Sequence, residues 1–303
     1  MSLNYENEMN LAFDKPLMYK NILLYPITLP YYSLLAAAED CLDVYRLDEK
    51  DIKLLRLPYL DYMYEKSLID EEFKSKWHML ICILGIVLTD SQPLDILKKQ
   101  DGKIYLKVYQ KSDEYEKLNK EYTILESNLI KQVKNKSGSE KDFEFMKNKL
   151  IAIRNKMYNA IEINSVDFDK IRELIMIQND IKIQHYDIKT EKLLYDLKNK
   201  LKKTSNGNNN LNLEDLISVV AYSTGKDVQE LEHMTIRRFN RYLSIIQKKD
   251  DYQIYKQLEV SGMIKMKQEI PHWINHYEPK GKYDDILTDG SELLSTLNNG
   301  DKI

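Results

Sequence analysis

Residues 115–157 read YEKLNKEYTILESNLIKQVKNKSGSEKDFEFMKNKLIAIRNKM, and their spacing decides the class of fold. Tyr115, Leu118, Tyr122, Leu125 and Leu129 recur at steps of three and four, and Phe143, Met146, Leu150, Ile153 and Met157 do the same. That period places each set along one side of an α-helix. Between them, Lys136-Ser137-Gly138-Ser139-Glu140 holds no apolar residue and a flexible glycine. Two amphipathic stretches around such a turn are expected to fold back as an antiparallel helical hairpin packed as a coiled coil. Left in water, each large side chain of either stripe would forgo roughly 1.5–3 kcal/mol. A single long interrupted helix is the alternative.

Upstream, Ile22-Leu23-Leu24-Tyr25 before Pro26 predicts a short strand. Pro30 suits a first helical turn, where its missing N–H goes unused. Tyr31, Leu34, Leu35, Ala38, Leu42 and Tyr45 then keep helical spacing, as do Phe73, Trp77, Leu80, Ile81, Leu84 and Leu88. Asp101-Gly102 signals a turn, and Ile104, Leu106 and Val108 alternate as on one face of a strand. Downstream of the hairpin, a helix near Asp167 carries Ile171, Leu174, Ile175 and Ile181, and Lys189 to Lys203 forms another, highly charged one.

Ser205-Asn206-Gly207-Asn208-Asn209-Asn210 buries nothing and reads as a linker. Past it, Asn212 caps a helix bearing Leu213, Leu216, Ile217 and Val220, which Gly225 ends. Asp227 with Glu230 forms a capping-box-like start for a short helix. Thr235 caps the next, Met234 stapling onto Phe239, with Ile236, Leu243 and Ile246 on its buried face. The expected fold is mainly α: a helical N-terminal domain with a short strand pair (1–111), a central helical hairpin region (112–205), a C-terminal helical domain (206–280) and a polar tail (281–303).

Composition agrees. The chain has 303 residues, 43% hydrophobic and 31% charged, so two or three structural units are expected. Only 9 glycines and 7 prolines favour long helices over a turn-rich β architecture. Net charge is -3, without the overall basic balance that draws a chain to nucleic acid or an anionic membrane. Met1 to Asn10 lacks the basic-then-apolar order of a signal peptide. The longest apolar run, Met79 to Leu88, falls well short of the roughly 20 residues that cross a bilayer. Cys41 and Cys82 each sit in an apolar run and read as small core residues, with no disulfide between them.

Motifs for chemistry are absent. Ser223-Thr224-Gly225-Lys226 has a Gly-Lys pair, but Asp227 replaces the Ser or Thr that would hold Mg²⁺, and the leading glycine is missing. His272 and His276, flanking Trp273, share a helical spacing that could hold a metal, but no third ligand and no glutamate base stand nearby. The carboxylate pairs Asp48-Glu49 and Asp284-Asp285 lie in polar surroundings that do not separate two pKa values. No catalytic residue, cofactor or metal is therefore expected; an enzyme of unrecognised type remains the third reading.

The most pointed local feature is Arg237, Arg238 and Arg241, clustered at helical spacing after Thr235. With Gly225 and the Asp227 helix they resemble a helix-turn-helix, whose arginines would meet phosphates or base edges. Against that stand Asp227, Glu230 and Glu232 close by and the acidic chain. A contact with protein, or a solvated face, is the preferred reading. Met263, Met266 and Trp273 join these arginines as protein-contact candidates, the methionines offering an adaptable apolar surface or core packing.

Several blocks resemble uncharacterised proteins encoded by phages of Gram-positive bacteria: Val166 to Ile175 with Gln178-Asn179, Leu213 to Leu231, Met234 to Phe239, Tyr252 to Lys256, Ser261 to Met263, and Pro271 to Ile274. Gly225 to Phe239 is also similar to the short helical pattern of phage tail-assembly chaperones, in which a glycine turn precedes an acidic helix and an apolar-started next one. The likeness covers the C-terminal half. It implies a non-enzymatic protein of the bacterial host's cytoplasm, binding tape-measure or tail-tube subunits during virion assembly. Neither nucleic acid nor membrane is an expected partner, and self-association stays open. A DNA-binding regulator is the alternative.

Overall fold

The computed structural model describes residues 3–46, 49–89, 94–134, 140–181, 188–204, 212–261 and 272–274. In chain order the elements are α1 (Tyr5–Ala12), β1 (Leu17–Tyr19), β2 (Ile22–Leu24), a 3₁₀ turn (Leu29–Tyr31), α2 (Tyr32–Leu42), α3 (Ile52–Leu55), α4 (Tyr59–Ser67), α5 (Glu71–Thr89), β3 (Asp95–Lys98) and β4 (Ile104–Lys111). There follow α6 (Tyr115–Lys134), α7 (Glu140–Met157), β5 (Tyr158–Asn164), α8 (Ser165–Gln178), α9 (Ile188–Thr204), α10 (Leu213–Thr224), α11 (Val228–Glu232) and α12 (Ile236–Val260). The fold is mainly α with two small sheets. Two compact units interleave in sequence: one within 1–17, 26–56 and 170–303, the other within 18–25 and 57–169.

The second of these holds both sheets. A two-residue link between β1 and β2 permits only antiparallel pairing. β4 is the central strand of the other, antiparallel to β3 and to β5. Its alternation works as the sequence predicts: Ile104, Leu106 and Val108 are wholly buried while their neighbours are not. Gly102, at φ +77°, makes the β3–β4 turn. Leu80, Ile83, Leu84, Val87 and Leu88 of α5 supply further core, as do Tyr59, Leu60, Tyr62 and Met63 of α4.

Gln110 departs from the apolar row, and its amide explains why. It is buried, donates to the Leu23 and Leu88 carbonyls at 2.7 and 2.9 Å, and accepts from the Leu23 N–H at 3.0 Å. The side chain thus pairs with β2 as another strand would, satisfying backbone groups that burial would otherwise orphan. Asp61 does similar service, accepting the Ile104 N–H at 2.8 Å.

The hairpin forms as its periodicity requires. α6 and α7 run antiparallel and pack through Leu118, Ile153 and Met157, with Tyr115, Tyr122, Leu125 and Tyr158 against them. Lys149 and Glu121 bridge the two helices at 3.4 Å. The turn at 135–139, the linker at 205–210 and the tail at 281–303 lie outside the described residues.

In the other unit, Leu29, Val220, Leu231, Met234 and Phe239 make a core into which Tyr32, Leu216, Ile217 and Leu243 pack. Asn212 caps α10 by accepting the Glu214 N–H, and Gly225 ends it at φ +68°. Thr235 caps α12 through the Arg238 N–H, and Met234 and Phe239 share the core as a staple does. Nothing in the periodicity marks the segment before Pro30 for pairing, yet Thr28 bridges to Thr235, and the Ile236 N–H donates to the Ile27 carbonyl at 2.9 Å.

Four expectations need correcting. Asp227 stands at the N-cap of α11, but its side chain makes no capping hydrogen bond. Cys82 is exposed and only Cys41 is buried, because α5 turns a different side to the core. Tyr45 lies beyond the end of α2 and stacks on Tyr195 at 3.9 Å. Ile181 lies past α8, whose helix ends at Gln178.

Candidate contact sites

The arginines that headed the sequence reading are brought together on α12, and each is engaged by the chain itself. Arg237 is buried; its Nη1 donates to the Leu11 carbonyl at 2.8 Å, and its Nε lies 3.4 Å from Asp180 Oδ1. Arg238 pairs with Asp14 through its Nε and donates from Nη2 to the Ala12 carbonyl at 3.0 Å. Arg241 Nε lies 3.4 Å from the second oxygen of Asp180.

Both aspartates occupy helix ends in a particular way. After α1, the Lys15 N–H reaches the Asn10 carbonyl at 2.8 Å and the Asp14 N–H the Leu11 carbonyl at 3.4 Å. After α8, the Ile181 N–H reaches Met176 at 2.9 Å and the Asp180 N–H reaches Ile177 at 3.3 Å. These are Schellman ends, whose C′ residue takes the left-handed conformation. Asp14 and Asp180 do so at φ +55° and +58°, where glycine would be unstrained. Using aspartate there costs on the order of 1 kcal/mol. The carboxylates offset this by meeting guanidinium groups, while Arg237 and Arg238 supply positive charge to the negative end of α1. Sequence reasoning missed Asp14 and Asp180, because their partners lie far off along the chain.

Apolar side chains stand exposed on the same C-terminal helices. Tyr222 is 92% exposed, with Val219 one turn earlier on α10 at 45% and Val228 at the start of α11 at 54%. On the far half of α12, Ile254, Tyr255 and Val260 are exposed as well. Trp273 is half-buried; its ring stacks on His272 at 5.5 Å, and His272 meets Tyr252 at 5.2 Å. Trp273 and Ile274 face Ser244, Ile245 and Lys248 of α12 around a pocket of about 150 Å³. Met263, Met266 and His276 lie outside the described residues.

In the unit that holds the sheets, Asp167 gathers polar groups. It accepts from Lys20 Nζ at 2.7 Å, Tyr19 Oη at 3.0 Å and Asn164 Nδ2 at 3.0 Å, and Asn164 in turn accepts the Asp167 N–H at 2.8 Å. The Lys20 bond, chiefly, holds the Asp167 carboxyl below its ordinary range, and the same bond raises the Lys20 ammonium. Burial, first, and then the bond to Asp167 push the Tyr19 phenol up. This is a capped helix start latched to the β1–β2 turn. Among the described residues no group of three His, Cys, Asp or Glu side chains could hold a metal ion, and no helix is long and apolar enough to cross a membrane.

Residues 200–278 match the family of the YomV second domain. The stretch spans α10, α11, α12 and the Trp273 segment, about a quarter of the chain, and that phage-derived family supports a phage protein. No curated protein and no solved structure matches the chain.

Proposed function

We propose that this is a phage protein without catalytic chemistry of its own, which binds other proteins during tail assembly in a chaperone-like manner. Its clients would be helical virion components such as tape-measure or tail-tube subunits, met in the cytoplasm of the host. The observation that carries this reading is the exposure of Tyr222, Val219 and Val228 within the stretch similar to a phage-derived domain family. Val220 of α10 and Leu231 of α11 meanwhile build a core with Phe239 of α12. An apolar helix laid across the outer side is the mode of recognition such a surface suits. Aromatic anchors of this kind carry much of the energy of a protein contact.

The test is capture of the tagged full chain from infected cells, with Tyr222→Asp in parallel. Recovery of a virion component by the parent chain, and its loss with the variant, supports the reading; a capture without any virion component overturns it. The nucleic-acid alternative would use Arg237, Arg238 and Arg241, whose guanidinium groups meet Asp14, Asp180 and the end of α1. A duplex titration across salt tests it separately: phosphate contacts give an affinity falling steeply with ionic strength.

A further inference from the structure

We propose that the helical hairpin is a self-association device, in which α7 packs antiparallel against α7 of a second copy of this chain. The starting point is Phe145. It is 71% exposed on a helix whose seam residues Leu150, Ile153 and Met157 are all buried. Counting 100° per residue from that seam, Phe145 falls on one flank of α7 with Asp142, Lys149, Ala152 and Lys156. The spacing 142, 145, 149, 152, 156 is a second three-four stripe, the pattern of a helix with another helix to meet. On α6 the same count puts Ile124, 64% exposed, on that same flank of the hairpin, beside Glu121.

Charge and size select a second copy as the occupant. Two α7 helices related by a two-fold axis near Lys149 bring Phe145 of each opposite Ala152 of the other, a large side chain over a small one. The same alignment sets Asp142 opposite Lys156 at both ends, so that one arrangement satisfies both pairs. Lys149 would meet its own copy at the axis, but Glu121 of the same chain already lies 3.4 Å from its Nζ and offsets the like charge. Beyond Lys141, the cations of α7 (Lys147, Lys149, Arg154, Lys156) follow its acids Asp142 and Glu144. That order suits the helix's own dipole and also makes the helix complementary to itself when reversed. The dipole accounts for the charges alone; Phe145 and Ile124 at the middle of the flank are what a partner would bury.

Light scattering and sedimentation of the full chain give the first reading, which is expected to be a dimer. Phe145→Glu should weaken it by at least about 30-fold, because the two-fold removes a central aromatic anchor from each copy. Asp142→Lys and Lys156→Asp should each weaken it, and the two together should restore it. Against a Cys82→Ser background, Lys149→Cys should cross-link between copies on oxidation. Lys156→Cys should not, because two such positions lie about 20 Å apart along the helices. Far-UV circular dichroism checks that each variant keeps its helix. A monomer at all concentrations overturns the proposal. So does a dimer indifferent to Phe145→Glu, or one whose charge swap fails to restore what the single changes lose.

Discussion

Replacing Arg237 with methionine tests whether the arginine cluster holds the fold or faces outward. The variant keeps a long apolar stem of similar reach and removes only the guanidinium. Several groups lose a partner. The Asp180 carboxylate, 5% exposed, keeps Arg241, whose own side chain is 38% exposed; the Leu11 carbonyl at the end of α1 loses a donor at 2.8 Å, and Asp14 loses a contact at 4.0 Å. Removing one member of a buried ion pair costs about 3–5 kcal/mol, because the remaining charge stays desolvated. Arg241 compensates in part, so the expected loss is about 3 kcal/mol, a large share of the roughly 5–15 kcal/mol that typically separates folded from unfolded chains. Urea unfolding followed by circular dichroism measures it, with hydrogen exchange reporting on α1. The amides of 5–15 should exchange faster, since Arg237 and Arg238 hold the last carbonyls of that helix. Asp180→Asn keeps a residue that tolerates positive φ and removes the charge. Combined with Arg237→Met, it should cost at least about 1 kcal/mol less than the two single losses added. A loss below about 0.5 kcal/mol with unchanged exchange at 5–15 would refute the reasoning. It would return the guanidinium to solvent and with it the case for phosphate contact.

Gln110→Leu preserves volume but leaves the Leu23 N–H and the Leu23 and Leu88 carbonyls without their side-chain partner; a loss of about 3 kcal/mol or more is expected by denaturant titration, and a change under 1 kcal/mol would mean that water replaces the amide. Phe239→Ala, at the centre of the core around Leu29 and Val220, should cost about 3–5 kcal/mol in the same measurement. The Asp167 carboxyl titrates lower when folded than unfolded, so the stability it contributes is present above the ordinary carboxylate range and is lost as pH falls through its depressed folded value. Asp167→Asn should therefore flatten the fall of stability below about pH 4, and an unchanged acid limb would refute this role. For Lys20 the sign reverses: its folded value is raised, so its contribution holds below the ordinary ammonium range and disappears as pH rises through the folded one.

The helices were legible because their determinants are local. Stripes such as Leu118-Tyr122-Leu125, and caps such as Asn212, Gly225 and Thr235, sit within one or two turns of what they control. The strand β4 was legible for the same reason, its alternation being complete within Ile104 to Val108. β3 and β5 were not. Asp95 to Lys98 has too few residues to show a period, and of the two positions opposite the inward Leu106 and Ile104, Ile96 is apolar but Lys98 is charged. Tyr158 to Asn164 follows α7 without a break, so Ile161 and Ile163 look like a continuation of helix. What converts them to strand is the edge that β4 offers, through pairs such as Val108 with Ile161 and Leu106 with Ile163. Tertiary pairing of that kind overrides weak local preference.

The arginine cluster is a harder case, because the sequence shows the feature but not what lies across from it. Three arginines on one side of a helix, with a glycine turn and a short helix before them, have the local form of a nucleic-acid reader. Whether they serve as one depends on what lies across from them. Here the partners are Asp14 and Asp180, separated from Arg237 by long stretches of chain, each placed by the end of a different helix. Each aspartate did carry a local sign, since it stands just past a helical run where glycine is the expected residue. Aspartate in a glycine's place, opposite an otherwise unexplained cluster of arginines, is a pairing that could be sought in sequence. The exposed side of α10 is the converse. Tyr222 and Val219 have the spacing of buried residues and are not buried, because α11 and α12 pack on the other side of the helix and, among the described residues, none covers this one. Periodicity reports that a helical face wants cover; only the fold shows which faces the chain covers itself, and those left over are where a partner can act.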